Sequence, residues 1–417
     1  MEKFVIQGGV PLKGKFRIPG AKNSALPLMC ASILAEGKTH LLNVPHLMDV
    51  VTMQQILEGL GIEITSKDGT LEIDSANLST FTALYGSVKK MRASILVLGP
   101  LLARYGKAEI CLPGGCCIGR RPVNLHLEGL RKLGARIKVR KGYIEAYTKG
   151  FKGSHIHLDL PSVGATENLM LSACLSEGET LIKNASRAPE VVDLARFLRK
   201  MGAKIQGEET SIIRIGGVKK LRPTHHSIIP DRIVAGTLIM AIVISGGEAV
   251  LEGIRPDHLG IVFTKLREMG AEIEVNSDQV RIKGGDYLRS VRIKTLPYPG
   301  FPTDLQPQIT SLACLAQGTS VVTETIFENR FTHAPELQKM RAKIKQEGTR
   351  VVVEGIPSLS GNLVKASDIR GGAALVLAGL AAQGTTIIEE IHHIDRGYEK
   401  LEENLSRLGA NMVRIKE

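Results

Sequence analysis

A glycine-rich loop carries the side chains of this sequence that are best suited to covalent chemistry. It reads Pro113-Gly114-Gly115-Cys116-Cys117-Ile118-Gly119-Arg120-Arg121-Pro122. Neighbouring guanidinium groups stabilise a thiolate, and glycines let a ligand approach the backbone closely. Arginine side chains also bind carboxylate and phosphate groups through paired hydrogen bonds. The loop therefore predicts a reactive sulfur beside an anionic ligand.

Two adjacent thiols in this loop compete for that role. Adjacent residues usually point in different directions, so we expect only one of Cys116 and Cys117 to face the ligand. The chemistry of the loop alone does not choose between them. The alternative role for Cys116, a small residue in a tight turn, is disfavoured by the glycine and arginine context. Three further cysteines lie in apolar helical stretches and are predicted to be core residues: Cys30, Cys174 and Cys314.

Cationic side chains recur at the predicted starts of helices, where the helix dipole opposes them. Lys22 with Asn23, Arg92 and, more weakly, Arg370 are placed in this way. The N-terminal end of a helix presents free N–H groups and a positive potential, so a cation there is unfavourable unless an anion is also present. These helix starts therefore predict a ligand with several negative charges.

Other polar residues near the helix starts suit ordinary structural roles. Three of them fit helix N-caps: Ser162, Thr303 and Asp368. Two charged pairs are predicted to be exposed or interface ion pairs: Arg187 with Glu190, and Arg330 with Glu336. The histidines show no recurrent metal-ligand spacing, and five are predicted to be polar loop or capping residues: His40, His46, His126, His258 and His333.

The composition favours small acidic ligands over nucleic acid. The formal net charge is +12, but lysines and arginines are scattered and tryptophan is absent, so basic runs and aromatic platforms for nucleic acid are missing. The longest apolar stretch, residues 233–244, is too short to cross a membrane, and the N-terminus has no export signal. We therefore expect a cytoplasmic protein without membrane insertion. Cysteine spacing suggests neither zinc nor disulfides, and we expect no metal or organic cofactor.

Two markers of helix ends recur six times, with a period of about 70 residues. The first precedes a predicted strand in each copy: Leu60-Gly61-Ile62, Leu133-Gly134-Ala135, Met201-Gly202-Ala203, Met269-Gly270-Ala271, Met340-Arg341-Ala342 and Leu408-Gly409-Ala410. The second closes a helix of small residues: Gly37, Gly106, Gly178, Gly247, Gly318 and Gly384. Glycine after a helix accepts the left-handed conformation that ends it. The alternation predicts six α/β units of βαβαββ type.

The sixth unit lacks its last hairpin, and the N-terminus carries a matching piece. Residues 4–18 resemble residues 351–364 of the fifth unit. We therefore expect one domain made of residues 1–20 and 229–417, and another made of residues 21–228. The chain would cross twice between these domains, which permits hinge closure over a ligand.

These motifs resemble, over essentially the whole chain, those of the bacterial UDP-N-acetylglucosamine enolpyruvyl (1-carboxyvinyl) transferases. The most specific pieces are the Cys116 loop and Asp395-Arg396-Gly397-Tyr398. The other matching pieces are Lys22-Asn23, Arg92, Ser162-Val163-Gly164-Ala165-Thr166, Phe301-Pro302-Thr303-Asp304, Glu328-Asn329-Arg330-Phe331 and His393-Ile394. The resemblance implies an α/β protein of two domains, each an inside-out α/β barrel built from three of the six repeats, as in EPSP synthase.

The resemblance also implies an activity. The enolpyruvyl group of phosphoenolpyruvate is transferred to the 3-hydroxyl of UDP-N-acetylglucosamine with release of phosphate, as the first committed step of peptidoglycan synthesis. Cys116 is then the proton donor and can form a covalent phospholactoyl adduct. Asp304 is the candidate base for the sugar hydroxyl, and Lys22 and Arg396 complete the catalytic set. Addition gives a tetrahedral ketal, and elimination of phosphate restores the enol ether.

Substrate contacts follow from the same resemblance. Those implied for phosphoenolpyruvate are Lys22, Asn23, Arg121, Arg370 and Arg396. Those implied for UDP-N-acetylglucosamine are Asn23, Arg92, Arg121, Pro122, Val123, Asn124, Leu125, Ser162, Val163, Gly164, Asp304 and Ile326. Asn124 departs from the aspartate that relatives often carry, and Cys117 replaces what is commonly a small or hydroxyl residue. The second thiol adds an oxidisable group beside the catalytic one.

Two alternative functions remain. Enolpyruvyl transfer to shikimate 3-phosphate uses the same architecture, but the sibling enzymes lack the cysteine loop. A non-enzymatic basic binding protein would bind nucleic acid with a steep salt dependence and would release no phosphate from phosphoenolpyruvate. The sequence leaves the oligomeric state open.

Overall fold

A computed structural model describes residues 2–83, 91–112, 123–140 and 142–416. Within them the chain forms two compact units. The terminal unit consists of residues 2–19 and 230–416, and the central unit of the described residues from 20 to 229. Among the described helices, none has the length and apolar character that crossing a membrane requires.

The central unit alternates helices with short strands. Its helices are α1 (Lys22–Ala31), α2 (Met48–Gly59), α3 (Leu98–Tyr105), α4 (Asn124–Lys132), α5 (Val163–Ala173) and α6 (Pro189–Lys200), with 3-10 turns at Ser32–Leu34 and Arg92–Val97. Its strands are β3 (Lys38–Leu42), β4 (Glu63–Lys67), β5 (Thr70–Asp74), β6 (Thr82–Ala83), β7 (Lys107–Cys111), β8 (Arg136–Arg140), β9 (Tyr143–Tyr147), β10 (His155–His157), β11 (Glu179–Lys183), β12 (Lys204–Gln206), β13 (Ile212–Gly216) and β14 (His225–Ser227).

The terminal unit begins with β1 (Glu2–Gln7) and β2 (Lys13–Arg17). Its helices are α7 (Arg232–Ile244), α8 (Gly260–Glu268), α9 (Gln306–Ala313), α10 (Ala334–Lys339), α11 (Ile369–Ala381), α12 (His392–Asp395) and α13 (Leu401–Arg407), with 3-10 turns at Pro256–Leu259 and Thr303–Leu305. Its other strands are β15 (Glu248–Glu252), β16 (Glu272–Val275), β17 (Gln279–Lys283), β18 (Leu288–Arg289), β19 (Arg292–Lys294), β20 (Ala316–Gln317), β21 (Thr319–Thr323), β22 (Lys343–Glu347), β23 (Arg350–Glu354), β24 (Leu363–Lys365), β25 (Thr385–Glu389) and β26 (Asn411–Lys416).

Six four-stranded sheets of the described residues share one plan. The orders are β14-β3-β5-β4, β6-β7-β9-β8 and β10-β11-β13-β12 in the central unit, and β2-β15-β17-β16, β19-β21-β23-β22 and β24-β25-β1-β26 in the terminal unit. In each sheet the first strand runs parallel to the second, and the third strand pairs antiparallel with both the second and the fourth. Since a parallel pair needs a crossover, each sheet has the strand arrangement of one βαβαββ repeat. The predicted six repeats are confirmed.

Three of these strands come from distant parts of the chain. β2 pairs with β15 in the terminal unit, whereas β14 pairs with β3 in the central unit. β1 lies between β25 and β26 and supplies the strand that the sixth repeat lacks. In this last pairing Glu2 lies opposite Lys416.

The helix ends adopt the predicted left-handed conformation. At the first marker φ is positive in all six copies: Gly61 (92°), Gly134 (107°), Gly202 (105°), Gly270 (104°), Arg341 (72°) and Gly409 (95°). At the second marker the fourth copy differs, because Gly246 and not Gly247 has the positive φ, of 64°. Gly247 serves a close approach instead, since a Cβ there would lie 2.2 Å from the carbonyl oxygen of Leu12.

The apolar stretch at residues 233–244 is a core helix. Every residue of α7 from Ile233 to Ile244 is buried, as expected for a helix that is apolar on all sides. The three cysteines predicted to be core residues are also fully buried: Cys30, Cys174 and Cys314. Burial raises the pKa of the Cys174 and Cys314 thiols to about 12, so neither carries a thiolate at neutral pH.

Candidate active site

In the terminal unit, Asp304 is held by two buried arginines. It lies in the 3-10 turn that precedes α9. Arg330 Nη2 lies 2.9 Å from Oδ1 of Asp304, and Arg370 Nη2 lies 3.2 Å from Oδ2. The arginine side chains are only 2% and 5% exposed, whereas that of Asp304 is 26% exposed. The arrangement favours the ionised carboxylate and leaves part of Asp304 accessible to a ligand.

Arg330 also links Asp304 to the start of α11. Its Nη1 lies 3.8 Å from Oδ1 of Asp368. That same oxygen accepts hydrogen bonds from the backbone N–H groups of Arg370 and Gly371, which confirms Asp368 as an N-cap. Burial alone would raise the pKa of Asp368, but the Arg330 cation and these two N–H groups hold it below its usual value. One guanidinium thus joins the turn of Asp304 to the helix that carries Arg370.

The predicted pairing of Arg330 with Glu336 is wrong. Glu336 pairs with Lys339 one helical turn away, while Arg330 reaches the two aspartates. The pairing of Arg330 with the two aspartates was hard to predict from the sequence. Asp304 lies 26 residues before Arg330, and Asp368 lies 38 residues after it.

Arg370 is packed on its other side by Tyr398. The guanidinium carbon lies 5.3 Å from the centre of the tyrosine ring. The Tyr398 hydroxyl lies 2.9 Å from Oγ1 of Thr237 and accepts a hydrogen bond of 3.0 Å from Nε2 of Gln308. Because Thr237, Gln308 and Arg370 come from α7, α9 and α11, this buried cluster fixes the three helices around the arginine. Burial disfavours the Arg370 cation, but Tyr398 and Asp304 outweigh this effect and raise its pKa.

Glu324 arranges two further segments of the site and was not singled out from the sequence. Its Oε2 accepts a hydrogen bond of 2.9 Å from Thr303, the neighbour of Asp304. Its Oε1 accepts one of 2.8 Å from the backbone N–H of Ile326, whose side chain is exposed. The predicted N-cap role of Thr303 is wrong, because its hydroxyl donates a hydrogen bond to the carboxylate of Glu324. Glu324, which is 1% exposed, therefore positions both Asp304 and Ile326.

Arg396 follows the short helix α12 and is half-buried. The preceding residue, Asp395, accepts two hydrogen bonds from Arg414, at 2.5 Å and 3.1 Å. Arg414 belongs to β26, so the final strand anchors the end of this helix. Two bonds from a single guanidinium fix both distance and orientation. The backbone that carries Arg396 is therefore held in place.

In the central unit, Lys22 begins α1 and is buried beside a carboxylate. Its Nζ lies 3.0 Å from Oδ2 of Asp49, and both side chains are less than a tenth exposed. The sequence predicted an anionic ligand at this helix start, and in the structure the carboxylate of Asp49 lies beside Lys22. Asn23 is partly exposed, and the next residue, Ser24, donates a hydrogen bond to the buried carboxylate of Asp193.

Three segments of the central unit carry the remaining sugar-nucleotide candidates. Arg92 begins the 3-10 turn before α3, and residues 123–125 lead into α4, where the side chain of Asn124 is exposed. Ser162 is the N-cap of α5, as predicted, and accepts a hydrogen bond of 3.3 Å from the N–H of Ala165. Val163 is exposed and Gly164 partly so.

Two of the histidines predicted to be polar loop or capping residues are buried. His126 lies within α4 and His333 precedes α10, and they are 7% and 0% exposed. Burial lowers the pKa of His126 to about 3 and that of His333 to about 4. Among the described residues, no group of three or more His, Cys, Asp or Glu side chains is placed to hold a metal ion. Cys116, Cys117, Arg121 and Pro122 lie outside the described residues.

The sequence matches the family model for EPSP synthase (3-phosphoshikimate 1-carboxyvinyltransferase) over residues 6–405. It is 51% identical to UDP-N-acetylglucosamine 1-carboxyvinyltransferase 2 of Carboxydothermus hydrogenoformans over 417 residues, which is the full length of both chains. It is 48% identical to UDP-N-acetylglucosamine 1-carboxyvinyltransferase of Geotalea uraniireducens, again over the full length of both.

Solved structures show the same fold. The enolpyruvyl transferase NikO from Streptomyces tendae superposes with a TM-score of 0.91 at 25% identity, covering 100% of this chain and 99% of NikO. EPSP synthase from Acinetobacter baumannii superposes with a TM-score of 0.78 at 22% identity and covers all of both chains. The EPSP synthase-like α/β fold expected from the sequence is confirmed.

Proposed function

The chain belongs to the EPSP synthase family of enolpyruvyl transferases, and from that premise we propose how its residues perform the transfer. It transfers the enolpyruvyl group of phosphoenolpyruvate to UDP-N-acetylglucosamine, a reaction of peptidoglycan synthesis. The observation that carries our assignment of roles is the carboxylate of Asp304 between the buried cations of Arg330 and Arg370. A fixed, ionised and partly accessible carboxylate suits a general base.

Asp304 accepts the proton of the attacking sugar hydroxyl in this proposal. Each of its oxygens receives a hydrogen bond from one arginine, and a carboxylate can accept about four, so a substrate hydroxyl can donate to the accessible part of Asp304. Arg370 is also a proposed ligand of phosphoenolpyruvate. When its guanidinium turns to the substrate anion, Arg330 still fixes the orientation of Asp304.

The phosphoenolpyruvate ligands are proposed to be Lys22, Asn23, Arg121, Arg370 and Arg396. Phosphoenolpyruvate carries a carboxylate and a phosphate, and guanidinium groups bind both with paired hydrogen bonds. Burial of Lys22 and Arg370 supports the proposal, because a desolvated cation interacts strongly with an anion that reaches it.

Cys116 is proposed to deliver a proton to the methylene carbon of phosphoenolpyruvate. The sugar 3-hydroxyl then adds to the neighbouring carbon and gives its proton to Asp304, which forms a tetrahedral ketal. The methyl proton returns to the Cys116 thiolate, and phosphate departs with the proton held by Asp304, which restores the carbon–carbon double bond. Both groups thus regain their starting states, and no oxidant is needed. In a parallel step, the Cys116 sulfur adds to the same carbon and gives the covalent phospholactoyl adduct.

The nucleotide sugar is proposed to bind through Asn23, Arg92, Arg121, Pro122, Val123, Asn124, Leu125, Ser162, Val163, Gly164, Asp304 and Ile326. The exposed side chains of Val163 and Ile326 support apolar contacts with such a ligand. We further propose a cytoplasmic location. The free buried cysteines Cys30, Cys174 and Cys314 are consistent with a reducing compartment.

Release of phosphate from phosphoenolpyruvate with each candidate acceptor tests the proposal. Turnover with UDP-N-acetylglucosamine and none with shikimate 3-phosphate is the expected result. Turnover with shikimate 3-phosphate alone would move the chain to the sibling activity, and turnover with neither would remove the proposed function.

A further inference from the structure

Asn168 contacts segments of the central unit that are proposed to bind the nucleotide sugar, yet nothing in the activity requires it to touch a substrate. It belongs to α5 and is completely buried. Its Oδ1 accepts a hydrogen bond of 3.0 Å from the backbone N–H of Gly99. Its Nδ2 lies 3.1 Å from the carbonyl oxygen of Ile95 and 3.1 Å from Nδ1 of His126.

These contacts determine the state of the His126 ring. Because Oδ1 faces a backbone donor, the amide nitrogen must face the other two partners and donate to both. Nδ1 of His126 therefore accepts, and the ring is neutral with its proton on Nε2. Burial, aided by the nearby cation of Arg92, lowers the pKa of His126 to about 3 and is consistent with this state.

Two of the three partners, Ile95 and His126, belong to segments proposed to bind the nucleotide sugar. Ile95 lies in the 3-10 turn that Arg92 begins, and His126 lies two residues after Asn124 in α4. The ring of His126 also packs on the third segment, since a Cβ added to Gly164 would lie 3.3 Å from its Cε1 atom. Asn168 is one helical turn beyond Gly164 on the same face of α5.

We propose that the buried amide of Asn168, acting through His126, sets the spacing of the three segments that bind the nucleotide sugar. It is a positioning residue for that substrate. A single amide with every contact satisfied is a stiff connection, because each lost bond leaves a buried polar group unpaired. The proposal depends on the proposed function for the identity of the three segments.

Substitution of Asn168 separates this role from a purely structural one. Asn168→Asp keeps the size but turns two donors into an acceptor that faces the Ile95 carbonyl and Nδ1 of His126. We expect the KM and the Kd for UDP-N-acetylglucosamine to rise about tenfold, with kcat and the KM for phosphoenolpyruvate within about twofold. Loss of folded enzyme alone would lower apparent kcat and leave KM unchanged.

Matched variants complete the test. Asn404→Asp changes an amide of the terminal unit that donates to the Glu399 carbonyl, and it should leave every constant within about twofold. His126→Leu should reproduce the KM change, while His126→Gln, which keeps an acceptor for the amide, should restore most of the affinity. If Asn168→Asp does not fold, the two His126 variants decide the question.

The outcomes distinguish this inference from the proposed function. If wild-type protein neither binds UDP-N-acetylglucosamine in calorimetry nor releases phosphate with it, the proposed function fails. If wild-type protein is active and the KM is unchanged in folded Asn168→Asp and His126→Leu, the inference is wrong. A fall in kcat with an unchanged KM would also overturn it.

Discussion

Arg330 donates a hydrogen bond of 2.9 Å to Asp304 from a position that is only 2% exposed. Its guanidinium is close to a second carboxylate, on Asp368, so the cation is compensated in the interior of the terminal unit. Buried charges persist when they are paired and hydrogen-bonded. Arg330 therefore fixes the position of Asp304, whose own side chain is partly accessible.

Arg330→Met should destabilise the protein and impair catalysis. It leaves Asp304 and Asp368 without their shared cation, and breaking a buried ion pair typically costs about 3 kcal/mol or more. Urea unfolding should show a loss of this order, and kcat should fall more than KM rises. Arg214→Met, at an exposed pair with Glu179, is the control and should change stability by less than about 1 kcal/mol. An equal effect of both variants would contradict the supporting role of Arg330.

Asp304→Ala should lower turnover by about 100-fold or more, because general base catalysis contributes at least that much. Calorimetry should still detect binding of UDP-N-acetylglucosamine, since most of the proposed contacts remain. Asp257→Ala, at an exposed carboxylate of the same unit, should leave turnover unchanged. Near-normal turnover of Asp304→Ala would remove this residue from the mechanism.

Cys116→Ser should abolish labelling by an epoxide phosphonate such as fosfomycin, whereas Cys117→Ser should not. In the native protein we expect no label on Cys30, Cys111, Cys174 or Cys314, all of which are buried. Burial raises the pKa of the Cys30 thiol well above its usual range, so this sulfur stays protonated. Mass spectrometry of the digested protein reads each site, and a label found on Cys117 would reverse the assignment.

Asp49→Asn should cost about 3 kcal/mol of unfolding free energy, because it leaves the buried Lys22 cation without its 3.0 Å partner. The double variant Lys22→Met with Asp49→Leu should recover most of that loss and remain inactive. A double-mutant cycle of urea unfolding, built from Lys22→Met, Asp49→Leu and their double variant, measures the coupling between the two residues. Additive effects of the two single changes would show that the pair contributes little.

Acid should destabilise the protein through its buried histidines. The folded-state pKa of His126 is about 3 and that of His333 about 4, against an ordinary value of 6.5. Between those limits the unfolded chain binds protons that the folded one does not. The unfolding free energy is therefore retained above pH 6.5 and falls as the pH drops towards 4, by at most about 1.4 kcal/mol per pH unit for each histidine.

Urea unfolding at pH 7.5, 6 and 5 measures this dependence. His126→Gln should flatten the slope, and His155→Gln, at an exposed histidine, should leave it unchanged. A slope that His126→Gln does not alter would mean that His126 is not a source of the acid sensitivity.

The repeat architecture was predictable because it leaves local marks. A left-handed helix end has a strong preference for glycine, and five of the six first markers carry one. Arg341 adopts the same conformation with a φ of 72°, so the period identified this unit more reliably than the residue type. The sequence could not show that Gly246, and not Gly247, has the positive φ, because both residues are glycine.

The candidate site was less predictable where it depends on long-range pairing. N-caps act within three residues, so Ser162 and Asp368 could be identified from the sequence. The contacts of Arg330, Glu324 and Asn168 join segments that the chain places far apart. A single sequence shows such residues only as polar positions in apolar surroundings, with no indication of their partners.

The pairings of β2 with β15 and of β14 with β3 constrain the order in which a chain can fold during its synthesis. The sheet that contains β3 lacks its strand β14 until residues 225–227 are synthesised, although its other strands are complete by residue 74. β1 stays unpaired for longer still, because its partners β25 and β26 are synthesised after β14. β1 and β2 are synthesised before any of their partners, so β2 stays unpaired until residues 248–252 are made and β1 until residues 385–389 are made.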